Sequence, residues 1–491
     1  MSNLVKKRIF FYIKYLFFFL SFSLFFYYYT INNFFLSDDY NWLEFGNIIK
    51  NDFWQLFHLK VTTFYSFFVN LFFYIGQSFF PYSYKMYHVG VLLLHGLNGF
   101  LVFLFLQKIS KSKWASLLAS LIFMTSTFSF ETKVWISSIM HVLVSTFVLL
   151  SLLFYQKYFA EDKVVTKNIF LFLSLLSALF AFLTKENGIV AFALVPLTYV
   201  FLSKINHKNF FNKKYIRDLF YFFIVAVFLF IYSYLVQKNS IWIDQGVYKI
   251  DIRAFYILVM SMFALIYEPS VRLVLDNIYF FYIFLLILFS TTVYFYKTKK
   301  SWDIYWYAIS FIIITFLPLV FFYFGSWHAI VQGRYSYLPA VGWSLFLTII
   351  FTKLEKKKVG KFLVVFFVAI YLIFNFYQSK ILFREYNYLQ KQMYGMINSF
   401  TELKPQIEKS NKVIIVQAYP FFSNQYYIYM YAQYVSSDHI LQLDKWDSEI
   451  KWDKAFDKYY KEGNLLLIWD NTNMKFVVVD NSEESLKYKG D

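Results

Sequence analysis

The chain has 491 residues, of which 59% are hydrophobic, 25% aromatic and only 16% charged. Many apolar runs reach the roughly 20 residues that a membrane crossing requires, which excludes a large soluble protein. The net charge of +17 could point to nucleic acid, but the basic residues fall mainly in short loops between apolar runs, the pattern that orients a membrane protein, so nucleic acid is not expected as a partner. The lack of cysteine excludes disulfides and thiolate metal sites. The 67 Phe and 44 Tyr fit the codon bias of an AT-rich genome and carry no inference about a stacked ligand.

Lys6, Lys7 and Arg8 precede a first span of about Ile9 to Tyr29, which places the N-terminus in the cytoplasm. That run is too long for a cleavable signal and lacks a small-residue cleavage site, so it reads as an anchor. Residues 30–84 then form an outer loop, with amphipathic pieces such as DFWQLFHL lying in the interface. Near its start, LSDDYNWLEFG (Leu36 to Gly46) places the adjacent carboxylates Asp38 and Asp39 where an apolar span reaches the membrane surface. An acidic pair beside hydrocarbon is costly and marks a functional site by default. The competing explanation is helix capping: Asn41 followed by Glu44 fits a capping box, and acids favour a helix N-terminus.

The second span, about Lys85 to Leu106, returns inward to Lys108, Lys111 and Lys113. A third ends near Phe128, and SFETKVWISS makes a short outer turn before a fourth runs in to Lys157, Lys163 and Lys167. The fifth and sixth form a hairpin whose outer turn is TKENG, Thr184 to Gly188, and the seventh covers about Leu219 to Val236. The apolar piece from Ala254 to Tyr267 is short; if it only dips into the outer leaflet, the later basic runs are cytoplasmic, and about eleven crossings result. The last four lie near 276–296, 304–324, 337–352 and 361–378. Residues 1–378 thus read as the membrane domain. From Ser379 the composition changes, and VIIVQAY, NLLLIWD and MKFVVVD read as buried strands of a small soluble α/β domain, 379–491, on the outer face.

Four polar clusters fall on that outer side: Asp38 and Asp39, the turn from Glu131 to Lys133, the run Lys185, Glu186 and Asn187, and His328 to Tyr335 in SWHAIVQGRY. Lys185 and Arg334 run against the positive-inside bias. For Lys185 the plain explanation is snorkelling while Asn187 caps the next helix; for Arg334 it is an interfacial anchor beside Tyr335 and Tyr337. Carboxylates can deprotonate an acceptor hydroxyl, and cations can hold a phosphate leaving group. His88, His95 and Asn98 in YHVGVLLLHGLN read as hydrogen-bonding glue between helices rather than metal ligands.

The acidic pair in SDDYNW, YHVGVLLLHGLNGFLV, SFETKVWISS, FLTKENGIV and QGRYSYLPAVG, in this order through most of residues 30–345, resemble the GT-C superfamily of polyprenyl-phosphate-dependent glycosyltransferases, especially bacterial members related to protein mannosyltransferases. Where many relatives carry Tyr-Arg-Pro after the first outer helices, this chain has Tyr65-Ser66-Phe67. The resemblance implies a polytopic α-helical, GT-C-like membrane fold. It implies a transferase of the cytoplasmic membrane, working on its outer face with a polyprenyl-phosphate sugar donor and a glycan, lipid or protein acceptor. Asp38 or Asp39 would be the general base of an inverting transfer, and Lys185 and Arg334 would bind the donor phosphate. Glu131, Glu186, His328 and Tyr335 would orient these groups or bind sugar hydroxyls. Some members of the superfamily place a divalent metal on the acidic pair and others do not; these residues leave that open. The rival functions are a transporter or flippase, which would carry charges along a path through the bilayer, an O-antigen polymerase or ligase, and a structural partner with a decayed site.

Overall fold

The computed structural model describes residues 3–58, 60–61, 64–207, 213–237, 258–259, 261–262, 265, 278–299, 301–319, 323–324, 327–328, 333–416, 446–449, 463–470 and 472–479. The helices of these residues follow in chain order as α1 (Asn3–Phe26), α2 (Asp39–Asn51), α3 (Phe67–Phe79), α4 (Tyr84–Ser110) and α5 (Lys113–Thr125). Next come α6 (Glu131–Val134), α7 (Ile139–Ala160), α8 (Val164–Thr184), α9 (Val190–Ile205) and α10 (Lys213–Gln237). The set ends with α11 (Ile278–Thr298), α12 (Trp302–Phe316), α13 (Pro339–Leu354) and α14 (Lys358–Lys409).

Seven helices among the described residues are long and apolar enough to cross a membrane, so the protein is an integral, polytopic one. They coincide with seven of the eleven expected crossings. Of the other four, α11 has 21 residues, whereas α5, α12 and α13 have only 13, 15 and 16, short of a full span. The expected dip at 254–267 lies almost wholly outside the described residues.

Apolar residues surround the long helices on all sides, so contacts decide which face is buried. On α1, Phe10, Phe17 and Phe25 are exposed, as they would be toward lipid tails, while Phe19 and Phe26 are buried. Phe19 packs 5.8 Å from Phe103 of α4. Between helices the bundle is tied by hydrogen bonds. The Ser23 hydroxyl of α1 donates to the Leu92 carbonyl at 2.7 Å. His95 Nε2 lies 2.9 Å from the Met124 carbonyl, which can only accept, so Nδ1 accepts from the Tyr337 hydroxyl at 2.7 Å. Asn98 donates to the Val142 carbonyl and to Tyr337, and accepts from Thr146. His95 and Asn98 therefore serve as glue between helices.

The segment between α1 and α4 is more ordered than the expected interfacial strap. Helices α2 and α3 pack together with Trp42 stacked 6.0 Å from Phe73. A short antiparallel pair, β1 (Lys60–Val61) and β2 (Phe64–Tyr65), lies between them. The aromatics of the DFWQLFHL stretch, Phe53, Trp54 and Phe57, are exposed.

Helix α14 runs for 52 residues, straight through the expected domain boundary at Ser379. At 1.5 Å per residue it reaches about 78 Å, far beyond one membrane thickness. Its later turns bury Met393, Met396, Ile397 and Phe400. Phe400 stacks 5.2 Å from Phe476, and the Ser399 hydroxyl accepts from the Phe476 N–H at 2.9 Å. At Gly395 a Cβ would lie 1.9 Å from the Met474 carbonyl oxygen, so only glycine lets helix and sheet approach this closely. A second short antiparallel pair, β3 (Tyr323–Phe324) and β4 (Trp327–His328), precedes α13. The C-terminal sheet has the order β6-β5-β7-β8 (Trp446–Glu449, Lys412–Val416, Asn464–Asp470, Lys475–Val478), with β5 parallel to β6 and β7, and β8 antiparallel to β7. All three expected strand segments thus contain strands.

Asn98 offers a test of the bundle ties. Its three bonds, at the roughly 0.6 kcal/mol typical of such contacts in membranes, contribute about 2 kcal/mol. Asn98→Ala should lower stability by that amount in a denaturation series in detergent; an unchanged midpoint would show the ties to be dispensable.

Candidate active site

The site is built where the loop before α2, the turn around α6, the α8–α9 turn and the segment from Gly333 to Tyr335 converge. Ser37 sits at φ 52°, in the left-handed region that non-glycine residues rarely occupy. Asp38 follows as the N-cap of α2 with helical backbone angles, and its side chain makes no capping hydrogen bond. Helix α2 starts at Asp39, so Asn41 lies inside it and the expected capping box from Asn41 to Glu44 does not form.

The two carboxylates lead different lives. Asp39 is buried. Its Oδ2 accepts the Leu36 N–H at 2.8 Å, and its Oδ1 accepts the Ser137 N–H at 2.7 Å together with the Ser137 hydroxyl. Trp135 adds a second tie, its indole N–H donating to the Leu36 carbonyl at 2.9 Å. Asp38, by contrast, receives a single bond among the described residues, from the Ser37 hydroxyl at 3.4 Å. Its lone pairs are otherwise uncommitted.

Two cations, Arg334 and Lys185, act electrostatically on Asp38. Arg334 is ion-paired with Glu131, whose other oxygen accepts the Arg334 backbone N–H at 3.1 Å. The Arg334 guanidinium lies over the rings of Trp135, at 4.9 Å, and Tyr335, at 5.3 Å. Lys185 extends its ammonium over the same Tyr335 ring at 5.2 Å, with Met140 Sδ at 3.3 Å and His141 Nε2 at 3.5 Å. His141 meets Tyr335 edge-on at 5.0 Å. Gly333 makes this close approach feasible, because a Cβ there would lie 2.1 Å from the Phe128 carbonyl oxygen. Asn187 caps neither the short turn after Lys185 nor α9; the N-cap of the first is Lys185 and of the second Ile189, and neither side chain makes a cap bond.

Burial raises the pKa of Asp38, against the pull of Arg334, the Ser37 hydrogen bond and Lys185. Burial also raises Asp39, to about 7, despite the donors from Ser137 and Leu36, and the neighbouring Asp38 charge adds to the rise. For Arg334 burial acts downward, yet the ion pair with Glu131 and the contact with Tyr335 outweigh it and hold the guanidinium protonated.

The structure thus gathers Asp38, Asp39, Glu131, Lys185, Arg334 and Tyr335. Glu186 stays apart: it is half-buried in the turn after Lys185 and makes no hydrogen bond or ion pair recorded among the described residues. His328 falls in β4, and its side chain lies outside the described part. Trp135, Ser137 and His141, which bind or flank the cluster, were not singled out from sequence, although the first two lie inside SFETKVWISS. Lys133 is fully buried and donates to the Ser126 carbonyl at 3.1 Å and to the Ser129 hydroxyl, so it holds the turn. A divalent metal on the acidic pair would rest chiefly on Asp38 and on water. Asp39 spends both oxygens on protein donors, and no group of three or more His, Cys, Asp or Glu among the described residues could hold an ion.

The raised Asp39 makes a pH prediction. A carboxyl at about 7 in the folded state, against 3.8 when unperturbed, keeps its proton longer folded than unfolded, so stability is greatest below the unfolded value and falls as pH rises toward 7. Asp39→Asn should flatten that fall, and should lower the midpoint at all pH values because an amide cannot accept from all three donors, a loss of about 1–3 kcal/mol. Thermal melts in detergent from pH 4 to 8 decide it; parallel curves for parent and variant would refute the assignment.

No family model matches the sequence, and no curated protein matches it. Two solved structures match over most of their length, both of ArnT from Cupriavidus metallidurans. One is bound to undecaprenyl phosphate, with a TM-score of 0.49 and 12% identity over 92% of this chain and 93% of that one. The other is the apo state, with a TM-score of 0.47 and 11% identity over 94% of each chain. The similarity runs along nearly the whole of both chains at low identity.

Proposed function

We propose that this protein transfers a sugar from a polyprenyl-phosphate-linked donor to a hydroxyl of a glycan, lipid or protein, with inversion at the anomeric carbon. One observation carries the reading: a carboxylate with uncommitted lone pairs, Asp38, in the field of two cations that share the Tyr335 ring. The order of the sequence motifs that resemble the GT-C superfamily supports it. In this reaction Asp38 accepts the proton of the acceptor hydroxyl as that oxygen bonds to the anomeric carbon. The bond from this carbon to the phosphate oxygen breaks, and Lys185 and Arg334 take up the charge of the departing phosphate. Glu131 positions Arg334, and Asp39 is a positioning residue that holds the loop bearing Asp38. The site and the C-terminal sheet face the outside of the cytoplasmic membrane, by the placement of the basic loops.

The decisive comparison is between neighbours. Asp38→Asn keeps size and loses the base, so sugar transfer by the purified enzyme should fall about a hundredfold to ten-thousandfold, while the melting midpoint at neutral pH stays level or rises, because Asp38 caps nothing and its charge is buried at a cost. Asp39→Asn should show the reverse balance, a stability loss with a smaller loss of rate. Lys185→Gln should weaken donor use by roughly ten- to a hundredfold, the equivalent of one charge-assisted bond of about 1.5–3 kcal/mol. Parental rates in Asp38→Asn would overturn the reading.

The orientation is tested separately. In this cysteine-free chain, single cysteines at Lys111 and Asn464 can be probed with an impermeant thiol reagent. Asn464→Cys should label in intact cells and Lys111→Cys only after permeabilisation; the opposite pattern would invert the topology.

A further inference from the structure

At the end of the bundle remote from the carboxylates, a cavity of about 990 Å³ opens between the C-terminal turns of α4, α7 and α9 and the start of α12. Helix α4 alone separates the two ends by about 40 Å. Lys108, Lys111 and Lys157 line this cavity. Lys108 has one long bond, to the Leu153 carbonyl at 3.5 Å, and Lys157 lies over the Phe170 ring at 5.2 Å. Neither makes an ion pair among the described residues.

Lysines at helix C-termini complement the macrodipole and orient the protein, and need no ligand to do so. Gln156 is not explained in that way. It lines the same cavity, is only 6% exposed, and neither its amide nitrogen nor its amide oxygen has a partner among the described residues. A buried amide left unpaired costs about 1–3 kcal/mol; Gln77 and His88 are also buried without partners among the described residues, but Gln156, unlike them, faces a cavity that a ligand could fill. The cavity also contains Glu161 and Asp162. Glu161 is turned onto backbone, accepting from the Asp162 and Lys163 N–H groups at 3.1 Å, which leaves its charge partly neutralised.

We propose that this cavity binds a phosphate ester carrying a neighbouring hydroxyl. Its phosphate oxygens meet Lys108, Lys157 and the Gln156 amide nitrogen, and its hydroxyl donates to the Gln156 amide oxygen. The chemistry is that of a polyol phospholipid headgroup or of a soluble polyol phosphate. The apolar walls fit the lipid: Phe170 lines the cavity, and Ile169 and Phe172 beside it on α8 are exposed where lipid would lie.

The test needs no catalytic assay and is independent of the proposed reaction. The full chain is placed in nanodiscs of phosphatidylcholine with or without phosphatidylglycerol, and retained lipid is measured by native mass spectrometry alongside the thermal midpoint. The parent should retain phosphatidylglycerol preferentially and melt higher with it. Lys108→Gln with Lys157→Gln should cut that preference about tenfold, and Lys108→Arg with Lys157→Arg should keep it. Gln156→Leu should lose the preference yet raise the midpoint of lipid-stripped protein, whereas a purely structural glutamine would lower it when removed. Glycerol phosphate added to phosphatidylcholine discs separates the sources: an equal rise in midpoint would identify a soluble ester at the same site, and no rise the lipid. Equal retention of both lipids by the parent, or parental retention by the doubly Gln-substituted variant, would overturn the proposal.

Discussion

The carboxylate of Asp39 joins two segments that are 98 residues apart, accepting from Leu36 on its own loop and from Ser137 at the head of α7. Most of the site's geometry depends on that tie. It fixes the loop that presents Asp38, and with it the turn that holds Trp135, whose indole reaches back to Leu36 and whose ring carries Arg334. Burying a carboxylate is costly, and here three donors offset only part of the cost, which is why the group sits near neutral pH rather than in the usual carboxylate range. A rigid second carboxylate beside an uncommitted first one is a division of labour: one keeps the frame while the other remains available.

The cations follow the same economy. Two positive side chains near the end of a hydrophobic bundle would repel and seek water, but a single aromatic face between them takes both, and Glu131 neutralises one. Arg334 is thereby held in place without being fully spent, since a guanidinium has five donors. Lys185 has softer partners, a thioether and an imidazole, which leaves its charge the less compensated of the two. That asymmetry makes Lys185 the better placed of the pair to respond to an arriving anion.

Farther down the bundle, polar groups are used sparingly and in chains. Tyr337 receives from Asn98 and donates to His95, which in turn reaches Met124, so α4, α5 and the turn leading into α13 are linked in one chain of hydrogen bonds. Gln156 is one of several buried polar groups without a partner among the described residues, Gln77 and His88 being others, and it differs from those two in lining a cavity with lysines.

The amino-acid sequence by itself determined the membrane class, the positions of the long apolar helices and the three C-terminal strand segments, because these follow from runs of apolar residues that act locally. It also singled out Asp38, Asp39, Glu131, Lys185, Arg334 and Tyr335, since a polar group beside an apolar run is conspicuous in one dimension. It could not rank the two aspartates, exclude the capping box at Asn41, or separate Glu186 from its neighbour Lys185. Each of these depends on the direction in which a side chain leaves the backbone and on what stands opposite. Ser137, Trp135 and His141 are ordinary residues in sequence, and only tertiary structure, by bringing the start of α7 against the loop at Leu36, gave them roles. The continuity of α14 through Ser379 was hidden for a related reason: composition changes where the helix leaves lipid, but the backbone hydrogen bonds that define the helix do not.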